Sequence, residues 1–420
     1  MSPVRENVRV VGRRLEPEHH RLRDFLTRAA QPHEWLDASS DAAGDLLRAY
    51  GLTDPELPVL LDGEEVITGA TVEAVASRWG ALRRPERSRY DLAVVGAGPA
   101  GLAAAVYAAS DGLSTVVFEA EVPGGQASHT SRIENFFGFP DGIGGAELAR
   151  RAGRQAERFG AELAILQSVV GSKHSPAGAR FFLEGGAEVE APVALAAPGM
   201  IWRRLDVDGV EELLGRGVYY GAGRSEALQC GGDDVVVIGA GNSAGQAVLH
   251  LSGAGARVKM LVRGERLGRT MSAYLVERIQ ASPLIDLRLQ AQVTELHANA
   301  GHLSGVTIAT AAGAVETVTA AALFICIGGT PRTAWAPGLG VRTDAAGFIL
   351  TGPSLLEEGR RPEDWPLDRD PLALETSLPG LFAAGDVRSG STKRVAGAVG
   401  EGAMAAALSH LRLEELSGLA

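Results

Sequence analysis

Short apolar runs alternate with helical patterns through the first eighty residues. Val8 to Val11 reads as a strand, His19 to Ala29 as a helix and His33 to Leu36 as a second strand. Asp41 to Tyr50 is a helical pattern, Leu57 to Leu61 and Glu65 to Ile67 form a hairpin around Asp62-Gly63, and Thr71 to Trp79 closes the segment as a helix. The predicted order is β-α-β-α-β-β-α. Arg83 to Arg89 is charged and contains Pro85, as a linker does.

A different rhythm begins at the apolar strand Tyr90 to Val95, which runs into Gly96-Ala97-Gly98-Pro99-Ala100-Gly101. The helical stretch Leu102 to Asp111 and the strand Ser114 to Phe118 follow. In such a strand-loop-helix the first glycine permits a sharp turn, the second lets backbone approach a pyrophosphate, and the third lets helix and strand pack closely. Glu119 ends the second strand, where a carboxylate accepts hydrogen bonds from a ribose. Asp234 to Ile238 repeats the pattern with Gly239-Ala240-Gly241-Asn242-Ser243-Ala244, the helix Gly245 to Ser252 and the strand Arg257 to Val262. Two cradles imply two dinucleotides. At the end of the second unit's strand stand Arg263 and Arg266 in place of an acid, which favours a 2′-phosphate and hence NADPH over NADH. The plain alternative is a pair of solvated surface arginines.

At 420 residues the chain is long enough for two or three domains, and 45% hydrophobic with 22% charged residues is ordinary globular composition. The net charge of −11 opposes binding to a phosphate backbone, so no nucleic-acid partner is expected. Met1 to Val10 carries charges and lacks the apolar core of a signal peptide. The most apolar stretch, Leu92 to Ala109, is broken by Gly96, Gly98, Pro99 and Gly101, so no membrane span is expected either. Cys230 and Cys326 alone give no disulfide framework and no metal-ligand spacing, and a cytoplasmic location follows as the expectation.

The first eighty residues resemble the thioredoxin and glutaredoxin fold, with Leu57-Pro58-Val59 similar to that family's cis-proline strand start. Where glutaredoxins carry Cys-x-x-Cys, this chain has Glu16-Pro17-Glu18-His19, so the module has no thiol for exchange and reads as a docking or dimer-stabilising appendage. From Tyr90 onward the chain resembles thioredoxin reductases of the pyridine nucleotide-disulfide oxidoreductase family. The likeness rests on Gly124-Gly125-Gln126-Ala127, Ile133-Glu134-Asn135-Phe136, Phe139-Pro140 and the block Glu375 to Val387 with Gly385-Asp386. It implies an α/β architecture of two Rossmann-like domains preceded by a small thioredoxin-like α/β domain (1–82, linker 83–89). A split FAD domain (88–203 and 326–420) would bracket an NADPH domain (204–325). It also implies FAD held by Gly96, Gly98, Pro99, Ala100, Gly101, Glu119, Gly125, Gln126, Asn135, Gly385, Asp386 and the helix start Lys393-Arg394-Val395-Ala396. NADPH would be held by Gly239, Gly241, Asn242, Ser243, Ala244, Arg263, Arg266, Ile327 and Gly328. Members are usually homodimers and rotate the NADPH domain, which puts hinges near Pro198-Gly199 and Cys326.

The chain also departs from the family. The redox Cys-x-x-Cys is missing from Gly217 to Glu226, so the usual dithiol relay cannot run, and Glu226 would stand where the family's acid stands. Cys230 is the one candidate for a single-thiol mechanism, against the reading that it is inert; Cys326, in the apolar run Leu323 to Ile327, reads as core. Ala197-Pro198-Gly199 replaces the usual Ala-Thr-Gly and stiffens the hinge. Gly352 to Pro371, with Trp365, reads as a solvated surface insertion, with a lid over the flavin as the alternative. The expected function is hydride transfer from NADPH to FAD and onward to a small molecule or a small redox protein: ferredoxin or flavodoxin, a quinone, or oxygen. Two alternatives stand beside it: disulfide reduction through Cys230 or a partner's thiols, and a non-catalytic nucleotide-bound sensor or scaffold.

Overall fold

The computed structural model describes residues 4–221, 224–268 and 271–418. The first unit comprises β1 (Val8–Gly12), α1 (Pro17–Arg28), β2 (His33–Asp37), α2 (Asp41–Ala49), β3 (Val59–Asp62), β4 (Glu65–Ile67) and α3 (Val72–Arg78). Its sheet order is β2-β1-β3-β4, with β1 parallel to β2 and antiparallel to β3. The sheet buries Val8, Val10 and Leu60 against Leu22 and Leu26 of α1. The helix begins two residues before the expected His19, because Pro17 sits at its first turn, where a missing N–H costs nothing. The strand expected from Leu57 begins instead at Val59, since Pro58 has no N–H to give the ladder. Ser40 and Thr71 cap α2 and α3, their hydroxyls accepting from the amides of Ala43 (3.2 Å) and Ala74 (3.1 Å). The Leu57–Pro58 peptide is cis.

The second unit is a parallel sheet of order β22-β11-β5-β6-β7. Its elements are β5 (Leu92–Val95), α4 (Pro99–Ser110), β6 (Thr115–Glu119), α5 (Gly145–Arg158) and β7 (Glu162–Ile165). An antiparallel layer follows, β8 (Val169–Ser175), β9 (Gly178–Leu183) and β10 (Glu188–Ala191), and then β11 (Val193–Ala196). The chain leaves through β12 (Met200–Trp202) into a second parallel sheet of order β13-β20-β14-β15-β16. That unit runs β13 (Val218–Tyr220), α6 (Arg224–Gln229), β14 (Asp234–Ile238), α7 (Asn242–Gly253), β15 (Arg257–Val262), α8 (Ala273–Ala281) and β16 (Ile285–Leu289). Three antiparallel strands, β17 (Ala291–Asn299), β18 (His302–Thr310) and β19 (Val315–Thr319), precede β20 (Ala322–Ile325). The chain returns through β21 (Gly329–Pro331) and α9 (Ala336–Leu339) to β22 (Leu381–Ala383) and α10 (Val395–Ser417). Both parallel sheets are covered by helices, which is why their strands read as continuous apolar runs such as Val235 to Ile238.

The two connectors between these sheets pair with each other. Met200, Ile201 and Trp202 of β12 lie antiparallel to Pro331, Thr330 and Gly329 of β21, so the expected hinge at Pro198-Gly199 continues into a hydrogen-bonded ribbon. The insertion 352–371 is fastened: Trp365 is 8% exposed and its indole N–H donates to the Arg369 carbonyl at 2.6 Å. Arg369 in turn pairs with the buried Glu375 at 2.7 Å and with Glu415. No residue of 352–371 lines the cavity described next, so the lid alternative has no footing and the insertion is a surface feature.

Candidate active site

Strand β5 ends at Gly96, whose φ of +103° belongs to the region that favours glycine and where a Cβ would collide with the Ala197 carbonyl. A Cβ on Gly101 would collide with the carbonyl of Gly96, which is how α4 packs so close beneath the strand. On Gly98 it would meet nothing within 4 Å, because that glycine faces an open cavity of about 1170 Å³. Gly98 is the N-cap of α4 and offers no side-chain cap, so the first amides of the helix are left for an anion. The helix therefore starts at Pro99, inside the glycine loop, and not at Leu102. Glu119 holds this loop. Its carboxylate accepts from the amides of Ala97 (2.8 Å) and Glu121 (2.9 Å), while burial pushes its pKa up.

The Gly124 amide donates to the Ala97 carbonyl at 2.7 Å and sets a 3-10 turn, Gly125–His129, on the cavity wall. Gln126 in that turn donates to the Met200 carbonyl at 3.0 Å. From the C-terminal part of the chain come Gly385, Asp386, Arg394 and Val395, the last two at the uncapped start of α10. Burial pushes the Asp386 carboxyl up, and its side chain accepts no hydrogen bond among the described residues. Arg28, Arg203, Arg204, Arg332, Lys393 and Arg394 give the wall its positive charge. An open glycine cradle, two uncapped helix starts and cationic walls fit a dinucleotide's diphosphate, and an unengaged carboxylate fits its hydroxyl groups.

The second glycine loop opens on the same cavity. Asn242, Ser243 and Gln246 of α7 line it, and the Asn242 side-chain oxygen accepts from the Ser272 amide at 2.8 Å. Gly239 (φ +146°) again has no room for a Cβ, here against the Cys326 carbonyl. Of the residues expected at the two sites, Gly96, Gly98, Pro99, Ala100, Glu119, Gly125, Gln126, Asn135, Gly385, Asp386, Arg394, Val395, Asn242 and Ser243 line the cavity. Gly101, Ala396, Gly239, Gly241, Ala244, Ile327 and Gly328 do not line it. Arg263 and Arg266 are exposed at the end of β15, outside the cavity and without an ion pair among the described residues.

Among the side chains at this site that the sequence reading missed are Arg28, His129, Trp202, Gln246 and the wall arginines Arg203, Arg204 and Arg332. His129 and Gln246 had a signal, since each lies a few residues beyond an expected contact in its own motif. Arg28 had none, because it comes from the first unit. Desolvation pushes the His129 pKa down against the pull of Asp24, and its ring stands edge-on to Trp202 at 6.0 Å.

Cys230 is not part of the site. It is 2% exposed, burial pushes its thiol up to about 11, and it lines no cavity wall; Arg14 covers it with a 3.4 Å contact to Sγ. Cys326 is core, as expected, and burial pushes its thiol up to about 12. Within the cysteine-free stretch 217–226, residues 222 and 223 lie outside the described residues, and the Glu226 carboxylate meets His20 of α1 at 3.1 Å. Among the described residues there is no His/Cys/Asp/Glu cluster fit for a metal, and no helix is long and apolar enough to cross a membrane.

Fold and cavity together define an oxidoreductase with two dinucleotide sites. Residues 90–402 match the family model for pyridine nucleotide-disulphide oxidoreductases, and the chain belongs to that family. It is 32% identical over 334 residues to a thioredoxin reductase of Bacillus subtilis, covering 79% of this chain and 97% of that protein. It is 30% identical over 340 residues to the mitochondrial thioredoxin reductase 1 of Arabidopsis thaliana, covering 77% and 84%. The crystal structure of Lactococcus lactis thioredoxin reductase in its FR conformation superposes with a TM-score of 0.68 at 29% identity, over 78% of this chain and 99% of that one. Thioredoxin reductases use FAD and NADPH. The chain is thus a thioredoxin reductase-like enzyme whose first 89 residues lie outside the family match.

Proposed function

We propose that this chain oxidises NADPH through a bound FAD and passes the electrons directly from the flavin to an acceptor at the cavity, without a thiol relay of its own. The observation that carries the reading is the placement of Asn242, Ser243 and Gln246 on the same cavity as Gly98, Gly125 and Gln126. FAD supplies the hydride acceptor and NADPH the hydride; the chain needs only to hold the two rings together and keep water out. The start of α4 would take the flavin dinucleotide's diphosphate, Glu119 its ribose and Asp386 its ribityl hydroxyls. Arg263 and Arg266 would meet the 2′-phosphate of NADPH.

The names of the relatives favour a disulfide as the acceptor over the ferredoxin, quinone or oxygen expected from the sequence. Burial of Cys230 disfavours it as the attacking thiol, so in that second reading the thiols belong to the partner. Anaerobic mixing of the yellow protein with NADPH or NADH, followed at about 450 nm, tests the proposal. Rapid bleaching by NADPH is expected, and bleaching by neither nucleotide would overturn it. Reoxidation by a small disulfide, compared with a quinone, then separates the acceptor classes.

A further inference from the structure

One helix of the first unit touches both nucleotide units. At its C-terminal end Arg28, 9% exposed, donates from Nη1 to Glu121 (2.6 Å) and Asp24 (3.3 Å) and from Nε to Ser128 Oγ (3.1 Å). Arg28 is thereby part of the cavity wall and holds the 3-10 turn that carries Gln126. Val122 of the second unit is buried in the first unit's core beside Leu22 and Leu26, and Leu166 packs against the same cluster.

The opposite end grips the unit that carries the second glycine loop. Arg14 meets Asp233 at 2.7 Å, His20 meets Glu226 at 3.1 Å, and the His20 ring lies 4.9 Å from that of Tyr219. Pro17 approaches so closely that a Cβ on Gly215 would fall 2.8 Å from its Cα. Twelve residues of helix span about 18 Å, enough to reach from one unit to the other. Direct side-chain fastenings between the two units include Gln246 to the Arg132 carbonyl (3.2 Å) and Arg278 to Glu134 (2.9 Å), which are exposed and hence weak.

We propose that α1 is a brace that holds the two nucleotide units with both glycine loops on one cavity, and that Arg14, His20 and Arg28 are positioning residues for hydride transfer. The cysteine-free first unit is then a working part of the site, and transfer from nicotinamide to flavin proceeds without rotation of one unit against the other. The inference rests on the proposed function for its catalytic consequence; the contacts that define the brace do not depend on it.

The test uses the full-length FAD-bound protein with spin labels at Ser110→Cys and Gln280→Cys, two exposed positions on the two units. The unaltered interface should give one narrow distance. Arg14→Glu combined with His20→Ala should broaden it and slow flavin bleaching at saturating NADPH by about tenfold, with half-saturation by NADPH little changed. The charge swap Arg14→Asp with Asp233→Arg should restore the narrow distance and most of the rate, which a merely destabilised fold would not do. Should the double variant fail to fold, Asp233→Asn, which leaves the first unit untouched, carries the same measurement. Two distances in the parent protein, or an unchanged distance in the folded variants, overturn the brace. Absence of bleaching in the parent overturns the proposed function and leaves the distance result standing.

Discussion

The imidazole of His129 stands 3.6 Å, Nδ1 to Oδ1, from the carboxylate of Asp24, which belongs to a helix in a different folded unit. Desolvation is the largest influence on this histidine and lowers its pKa, and Asp24 is the largest influence raising it. Asp24→Asn should therefore lower the His129 pKa further. An NMR titration of the ring checks this, and an upward shift would contradict the assignment.

The same direction of shift recurs at His19, His33 and His174, each lowered from 6.5 chiefly by burial. Above about pH 7.5 neither folded nor unfolded chain holds these protons, and the groups leave stability unchanged. As the pH falls through 6.5 the unfolded chain takes up protons that the folded chain refuses, so stability should fall. Thermal unfolding midpoints measured from about pH 8 down to about pH 5.5 should decline, and a flat profile would mean that the buried histidines protonate freely in the fold.

Two glycines of one loop should fail in different ways. Gly101→Ala puts a Cβ into the Gly96 carbonyl and should cost roughly 2 to 4 kcal/mol of stability, read by denaturant unfolding. Gly98→Ala meets no protein atom within 4 Å, so the apoprotein should unfold like the parent. FAD retention should nevertheless drop by about tenfold or more, because the methyl projects where a diphosphate must approach. Equal loss of stability in both variants would sink this division of labour.

Arg263 and Arg266 decide between nucleotides if they meet a 2′-phosphate. A charge-assisted hydrogen bond contributes about 1.5 to 3 kcal/mol, so Arg263→Ala should raise the KM for NADPH roughly tenfold or more and leave that for NADH unchanged. Equal changes for both would return these residues to the solvated surface.

The Cys230 thiol, held at about 11 and 2% exposed, should react slowly with a thiol reagent at about pH 7.5 in the folded protein and rapidly after unfolding. Cys230→Ser should leave NADPH-driven flavin bleaching within about twofold of the parent. A large loss of turnover with a disulfide acceptor alone would revive the single-thiol mechanism.

The amino-acid sequence by itself determined what is local. Gly96, Gly98 and Gly101 announce a strand-turn-helix because the constraint lies within six residues, and the order of elements from Val8 to Arg78 follows from periods and turns along one stretch of chain. The ends of helices were less legible: α4 starts at Pro99 because Gly98 can cap by backbone alone, and no apolar period reports that. Only the tertiary structure decided that Arg28 walls the cavity, that His129 answers to Asp24, and that Cys230 lies under Arg14 away from the site. Each of these contacts joins units with separate hydrophobic cores, and the pattern along a chain records which face of an element is buried without recording which other unit buries it.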